Sequence, residues 1–152
     1  MAAGEVSGGV RMRKNVPHSV LKQALDAIAF ERETRLQHSF ELAQELVSEY
    51  GEADLAERLF ADLPDGCPWE VSAVLFDMLT YMTSENGAAI RQTLEGWLRA
   101  GDDLQKVQIA VNLEGIAFSD DPNETSQVLT RISELHPEVR ERCDWIIRYL
   151  LS

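Results

Sequence analysis

Five prolines punctuate this chain, and none of them falls inside an apolar run of helical period. Pro17, Pro64, Pro68, Pro122 and Pro137 stand between stretches in which apolar residues recur every three or four positions. A proline inside a helix costs about 3 kcal/mol, so this placement is what a chain of successive helices requires. No stretch shows the alternation of apolar and polar residues, bounded by hairpin turns, that marks a strand. The chain is expected to be all-α, with about seven helices.

The stripes place those helices. Leu21, Ala24, Leu25, Ile28 and Ala29 form the first, and Leu36, Phe40, Ala43, Val47 and Tyr50 the second. They do not join smoothly across Glu31 to Thr34, so one bent helix or two separate ones fit the region from Ser19 to Tyr50. Gly51 supplies a stop. A short helix is expected over Glu52 to Asp62, with Leu55, Leu59 and Phe60 apolar. Pro68 suits a first helical position and opens the strongest stripe: Val71, Val74, Leu75, Met78, Leu79 and Met82. The next helix runs from about Asn86 to Ala100, burying Ile90, Leu94, Trp97 and Leu98, with Gly101 ending it. Asp102 or Asp103 can cap a helix reaching about Phe118 whose apolar residues lie on two faces, as in a helix sandwiched between neighbours. Asn123 can cap another containing Val128, Ile132 and Leu135. The pair His136-Pro137 breaks it, and a last helix carries Val139, Cys143, Ile146, Ile147 and Leu150.

The helix starts at Pro68, Asp102 and Pro137 are evenly spaced, 34 and 35 residues apart (68 to 102, 102 to 137). Such a period fits stacked helix pairs with the character of a HEAT-like α-solenoid, in which each pair buries its stripe against the next. The residue identities do not repeat, and an irregular helical bundle is the alternative. Residues 1–16 show no periodicity and read as a flexible tail carrying Arg11, Arg13 and Lys14 against Glu5. Residues 17–152 read as a single all-helical domain. A chain of 152 residues can bury about 68–70% of its unfolded surface, and 45% hydrophobic residues suffice for a core.

The net charge is −12, from 26 acids against 14 Lys and Arg. Phosphate binding needs a basic surface, so nucleic acid is not the expected partner. No apolar run approaches the roughly 18 residues of a membrane span. No apolar stretch of about 7–15 residues follows the early basic residues, so no secretory signal is expected. The chain reads as cytoplasmic, with Cys67 and Cys143 as reduced thiols. The acidity is uneven. Residues 51–67 hold five acids against one base, and residues 101–136 hold seven against two. Helix dipoles favour acids at helix starts and account for part of this. The total exceeds the magnitude of about 2–8 that solubility asks of a small domain. A surface of this sign attracts cationic proteins and speeds their association.

Catalytic patterns are missing. His18, His38 and His136 form no metal-ligand spacing, there is no Cys-x-x-Cys, and no phosphate loop or nucleophile elbow occurs. Cys143 lies on an apolar stripe and reads as a buried thiol, while Cys67, beside a helix start, is the more reactive candidate. Glu41, Glu45 and Glu49 share one helix face, where solvation accounts for them. The chain is expected to be no enzyme and to hold no cofactor and no metal. The residues expected to meet a partner are Asp62, Asp65, Trp69, Asp102, Asp103, Asp120, Asp121 and Glu124. Trp97 and Trp145 are further candidate anchors, since tryptophan is enriched at interface hot spots.

The evenly spaced starts at Pro68, Asp102 and Pro137, with the acidic runs Asp102-Asp103 and Asp120-Asp121, resemble the immunity proteins of bacterial toxin systems over residues 52–152. The resemblance implies a helical inhibitor that binds and neutralises a basic cognate toxin, such as a nuclease. It carries no functional residue over one by one. The competing reading is a helical adaptor, secretion chaperone or homodimeric scaffold that meets its partner through an uncovered apolar stripe.

Overall fold

In a computed structural model of the chain, residues 20–30, 37–113 and 121–149 are described. The expected tail at 1–16, His18, the junction Glu31 to Thr34, Leu36, the stretch toward Phe118, Asp120 and Leu150 lie outside them. The described elements are α1 (residues 20–30), α2 (Gln37–Tyr50), α3 (Leu55–Asp62), α4 (Trp69–Met82), α5 (Ser84–Ala100), α6 (Leu104–Val111), α7 (Pro122–Leu135), a 3-10 turn (Pro137–Val139) and α8 (Arg140–Tyr149). No strand occurs among the described residues, and the fold is all-α.

The packing has a next-but-one pattern. Helix α2 lies on α4, α4 on α6, α3 on α5 and α5 on α7, while α4 also packs on α5 and α5 on α6. That sorts the helices into two layers: α2, α4 and α6 in one, and α3, α5 and α7 in the other. The 3-10 turn extends the first layer beside α6, and α8 closes against α7. These are the contacts of stacked helix pairs, in which each pair covers the stripe its neighbour cannot cover alone. The three evenly spaced starts at Pro68, Asp102 and Pro137 open the successive members of the first layer.

Helix α4 is the most enclosed element. Val71, Leu75, Met78 and Leu79 are buried as their stripe requires, and Ser72, Ala73, Phe76 and Thr80 are buried on its other sides. Helix α6 is apolar on two faces as expected, with Val107, Ile109, Ala110 and Val111 buried, but it ends at Val111, short of the expected Phe118, because Asn112 leaves the helical conformation (φ −100°, ψ 5°). In α2 the buried line is Ser39, Leu42, Ala43 and Leu46, leaving Phe40 39% exposed. The stripe through Phe40 and Val47 is therefore rotated by about one residue, or about 100°, because Leu42 and Leu46 take the core positions. Ala29 and Leu135, read as apolar-face residues, are also exposed.

Several boundaries are set by local chemistry. Pro68 is extended (ψ 135°) and stands as the residue before α4, so Trp69 is the first helical residue. Helix α3 starts three residues later than Glu52 because Asp54 takes a left-handed conformation (φ 52°). Asp121, and not Asn123, caps α7: its Oδ1 accepts the Asn123 amide at 2.9 Å, and Pro122 fills the first turn. In the first turn of α5 the chain passes through Glu85, Asn86 and Gly87, all at positive φ (56°, 57° and 76°), so the right-handed part of α5 begins only after Gly87. A methyl group on Gly87 would sit 2.5 Å from Thr80 Cα and 2.6 Å from its Cβ. This turn closes only with glycine there.

Candidate functional site

Two of the connections that carry acids between the layers emerge at one edge of the stack. The loop Leu63 to Pro68 leads into α4, and the loop Gly101 to Asp103 leads into α6; α4 and α6 are neighbours, so the two loops lie side by side. Between them runs a groove of about 920 Å³, reached by Phe60 from α3, by Asp65, Cys67 and Trp69 from the first loop and α4, and by Asp102, Asp103, Leu104, Gln105 and Gln108 from the second loop and α6. Three of the lining residues are acidic and none is basic. Phe60, Trp69 and Leu104 are half-buried and give the groove its apolar surface.

The second loop is firmly held. Gly101 ends α5 in the left-handed conformation (φ 66°), with its amide donating to the Trp97 carbonyl at 2.9 Å. Its own carbonyl accepts from His136 Nε2 at 2.8 Å, which ties the loop to the end of α7. Asp103 then caps α6, its Oδ1 accepting the Lys106 amide at 3.1 Å. Capping satisfies a helix donor that otherwise has no partner, so Asp103 is committed to the fold as well as lining the groove. Asp65 and Asp102 are exposed and have no hydrogen-bond or ion-pair partner among the described residues.

Outside the groove's lining, a cation is held against the Phe60 ring. Lys106 Nζ lies 3.8 Å from Glu57 Oε1, 5.2 Å from the Phe60 ring centre and 5.4 Å from the Trp97 ring centre. Phe60 and Trp97 meet edge to face at 5.3 Å. An ammonium beside a carboxylate and over two ring faces is the local solution to placing a charge on a half-buried aromatic surface.

The structure divides the residues expected to meet a partner. Asp65, Trp69, Asp102 and Asp103 come together in the groove. Asp62 is engaged elsewhere: it accepts the Tyr50 hydroxyl at 2.6 Å, and Arg58 on the same helix donates to the carbonyls of Tyr50, Gly51 and Ala53. Burial first, and the Asp62 hydrogen bond second, raise the Tyr50 pKa above its ordinary value. These contacts clamp the end of α2 onto α3. Glu124 is ion-paired with Arg99 at 3.1 Å, which raises the Arg99 pKa, and Asp121 is the α7 cap. Asp120 lies outside the described residues. Of the other tryptophans, Trp97 is 5% exposed and belongs to the core, whereas Trp145 is 43% exposed.

Sequence reasoning did not find Gln105 and Gln108 or Phe60 as groove residues. Their signal was weak: Gln105 and Gln108 are three apart on α6, and so share a face, but nothing local says what that face meets. Cys67 is half-buried with Sγ 3.3 Å from the buried Ser72 hydroxyl, while Cys143 is fully buried and its pKa is pushed up to about 11, mainly by burial. Among the described residues no three His, Cys, Asp or Glu side chains are gathered as a metal site would need, and no helix is long and apolar enough to cross a membrane. Compared with protein-family models, with curated proteins and with solved structures, the chain found no match in any of the three.

Proposed function

We propose that this chain is a non-catalytic binding module, an immunity or inhibitor protein that neutralises a basic protein toxin by occupying it through the groove between the two acidic loops. The observation that carries the reading is the composition of that groove: Asp65, Asp102 and Asp103 with no basic residue, over the apolar surface of Phe60, Trp69 and Leu104. Carboxylates at the rim of an apolar surface suit a segment rich in lysine or arginine, whose aliphatic stems pack while their charged ends reach the acids. Trp69 offers the ring face on which a guanidinium stacks. The wider net charge of −12 acts before contact, steering a cationic partner inward. A chain of this kind inhibits by covering its partner's basic substrate-binding surface.

Retrieval of the partner from the native host tests this, using the wild-type chain beside the chain carrying Asp65→Asn and Asp102→Asn. The partner expected is basic, is retained by the wild type and is lost by the variant, and its toxic activity falls when the chain is added. Its association rate falls steeply as salt rises, since charges beyond a screening length of about 10 Å at 0.1 M cease to steer. An acidic partner, or one held equally by both chains at any salt, overturns the reading.

A further inference from the structure

The groove carries a second set of side chains that its acids do not explain. Trp69, Gln105 and Gln108 are half-buried in its lining. The Trp69 indole N–H and both glutamine amides have no hydrogen-bond partner among the described residues. Trp97 gives the contrast, since its indole N–H donates to Glu57 at 2.9 Å. The ammonium or guanidinium of a basic side chain needs acceptors, and Asp65 and Asp102 supply them. Lys106, held on the Phe60 ring, lies outside the lining and is paired with Glu57, so it does not occupy those acids. The indole and the two amides bring uncharged donors and acceptors together in the same groove.

Such a set matches a peptide main chain, in which each residue offers one N–H and one carbonyl. We infer that the groove receives a single extended, arginine-bearing segment, whose main chain is read by Trp69, Gln105 and Gln108 while Asp65 and Asp102 take its side chains. This rests on the proposed function, in which a basic segment enters the groove, and specifies the form of that segment. The main-chain groups of a helix are bonded to one another. A helical occupant would therefore shut the indole and the amides off from water without partners, which is costly. An extended chain keeps its N–H and carbonyl groups open. The spacing agrees. Gln105 and Gln108 stand three residues apart on α6, about 4.5 Å along its axis. An extended chain rises about 3.3 Å per residue, so the two amides meet peptide groups one or two residues apart. A groove of about 920 Å³ holds a few residues of such a segment.

Titration calorimetry of the full chain with an end-blocked hexapeptide of alternating arginine and alanine tests the inference. The plain peptide is expected to bind. The same peptide N-methylated at its alanines has equal charge but lacks those main-chain donors, and binds about tenfold more weakly. Spermine, a cation without peptide groups, also binds about tenfold more weakly than the plain peptide. Changing both Gln105→Ala and Gln108→Ala lowers affinity for the plain peptide about tenfold and leaves its salt dependence in place, since no charge is removed. Alanine suits a helix at both positions, and the comparison of ligands on the wild type decides the matter even if the variant fails to fold. Equal affinity for the plain peptide and either the methylated peptide or spermine overturns the inference, as does no binding of the plain peptide. A basic native partner that is still retained by the wild type and lost by the chain with Asp65→Asn and Asp102→Asn would then leave the proposed function standing. The plain peptide held equally by that acid variant overturns both.

Discussion

Trp97 donates its indole N–H to Glu57 Oε2 at 2.9 Å across forty positions of sequence, joining α5 to α3 within the second layer of the stack. The same carboxylate faces Lys106 from α6, so one acid serves three helices. An indole N–H that is buried needs an acceptor, and a bond to a charged acceptor is worth about 1.5–3 kcal/mol. Glu57→Ala is therefore expected to lower stability by about 2 kcal/mol. Trp97→Phe is expected to cost less on the Glu57→Ala background than on the wild type, because its packing loss remains but the bond is already gone. Urea denaturation of the four chains of this double-mutant cycle measures the coupling; additive losses would show that the bond is not what Glu57 supplies.

Gly87 and Thr80 make the closest backbone approach among the described glycines, and Gly87 is also the third successive residue at positive φ. Non-glycine residues in that region already cost about 1–3 kcal/mol each, and Glu85 and Asn86 are both there. Adding a Cβ to Gly87 brings a clash with the main chain of α4, which cannot move aside as a flexible side chain can. Gly87→Ala is expected to cost more than about 3 kcal/mol and to lower the melting temperature by on the order of 10 °C. Gly96, with open space around it, is the control: Gly96→Ala in mid-helix stabilises by roughly 0.5–1 kcal/mol. Thermal melts of the two variants check the contrast.

Period and punctuation made the helices legible. The apolar stripes of α4, α5 and α6 and the prolines before α4, at the start of α7 and at the 3-10 turn needed no tertiary information, and the even starts at Pro68, Asp102 and Pro137 announced the first layer. The rotation of α2 was not legible, because Phe40 and Leu42 are both apolar and only the facing surface of α4 decides which turns inward. The left-handed passage in the first turn of α5 had a local signal, the dipeptide Asn86-Gly87, which marks turns. Charge clusters told where acids gather along the chain. They did not tell that Asp62 and Glu124 are used by Tyr50 and Arg99, since those pairings join residues 12 and 25 positions apart.

The Cys143 thiol has its pKa moved from the ordinary 9.0 to about 11, by burial first and by Asp144 next. The folded chain thus keeps this proton at a pH where the unfolded chain has lost it. Its contribution to stability is complete below about pH 9 and falls as the pH rises toward 11, by on the order of 2 kcal/mol. Tyr50, also raised, adds a loss of the same sign at higher pH. The Cys143→Ala chain is expected to be less stable at pH 7 but flatter between pH 9 and 11. Denaturant midpoints against pH measure this, and equal slopes in both chains would refute it. A thiol reagent at neutral pH should correspondingly modify Cys67 in the folded chain and reach Cys143 only after unfolding.

Asp102 and Asp103 are adjacent in sequence and line the same groove, yet they have different work. Asp103 satisfies the Lys106 amide at the start of α6, and its loss removes a cap worth about 1 kcal/mol. Asp102 caps nothing, so Asp102→Ala is expected to leave the stability within about 0.5 kcal/mol of the wild type. The effects on binding run the other way if the groove receives a cationic segment. Asp102→Ala slows association with a basic partner and flattens its salt dependence, with the folded chain unharmed. Asp103→Asn keeps an oxygen for the cap and removes the charge, so it behaves like Asp102→Ala in binding and like the wild type in melting. Melting curves set beside stopped-flow association rates at several salt concentrations separate the two roles. An Asp102→Ala chain that loses stability and keeps its association rate would assign this acid to the scaffold and leave the groove without its electrostatic function.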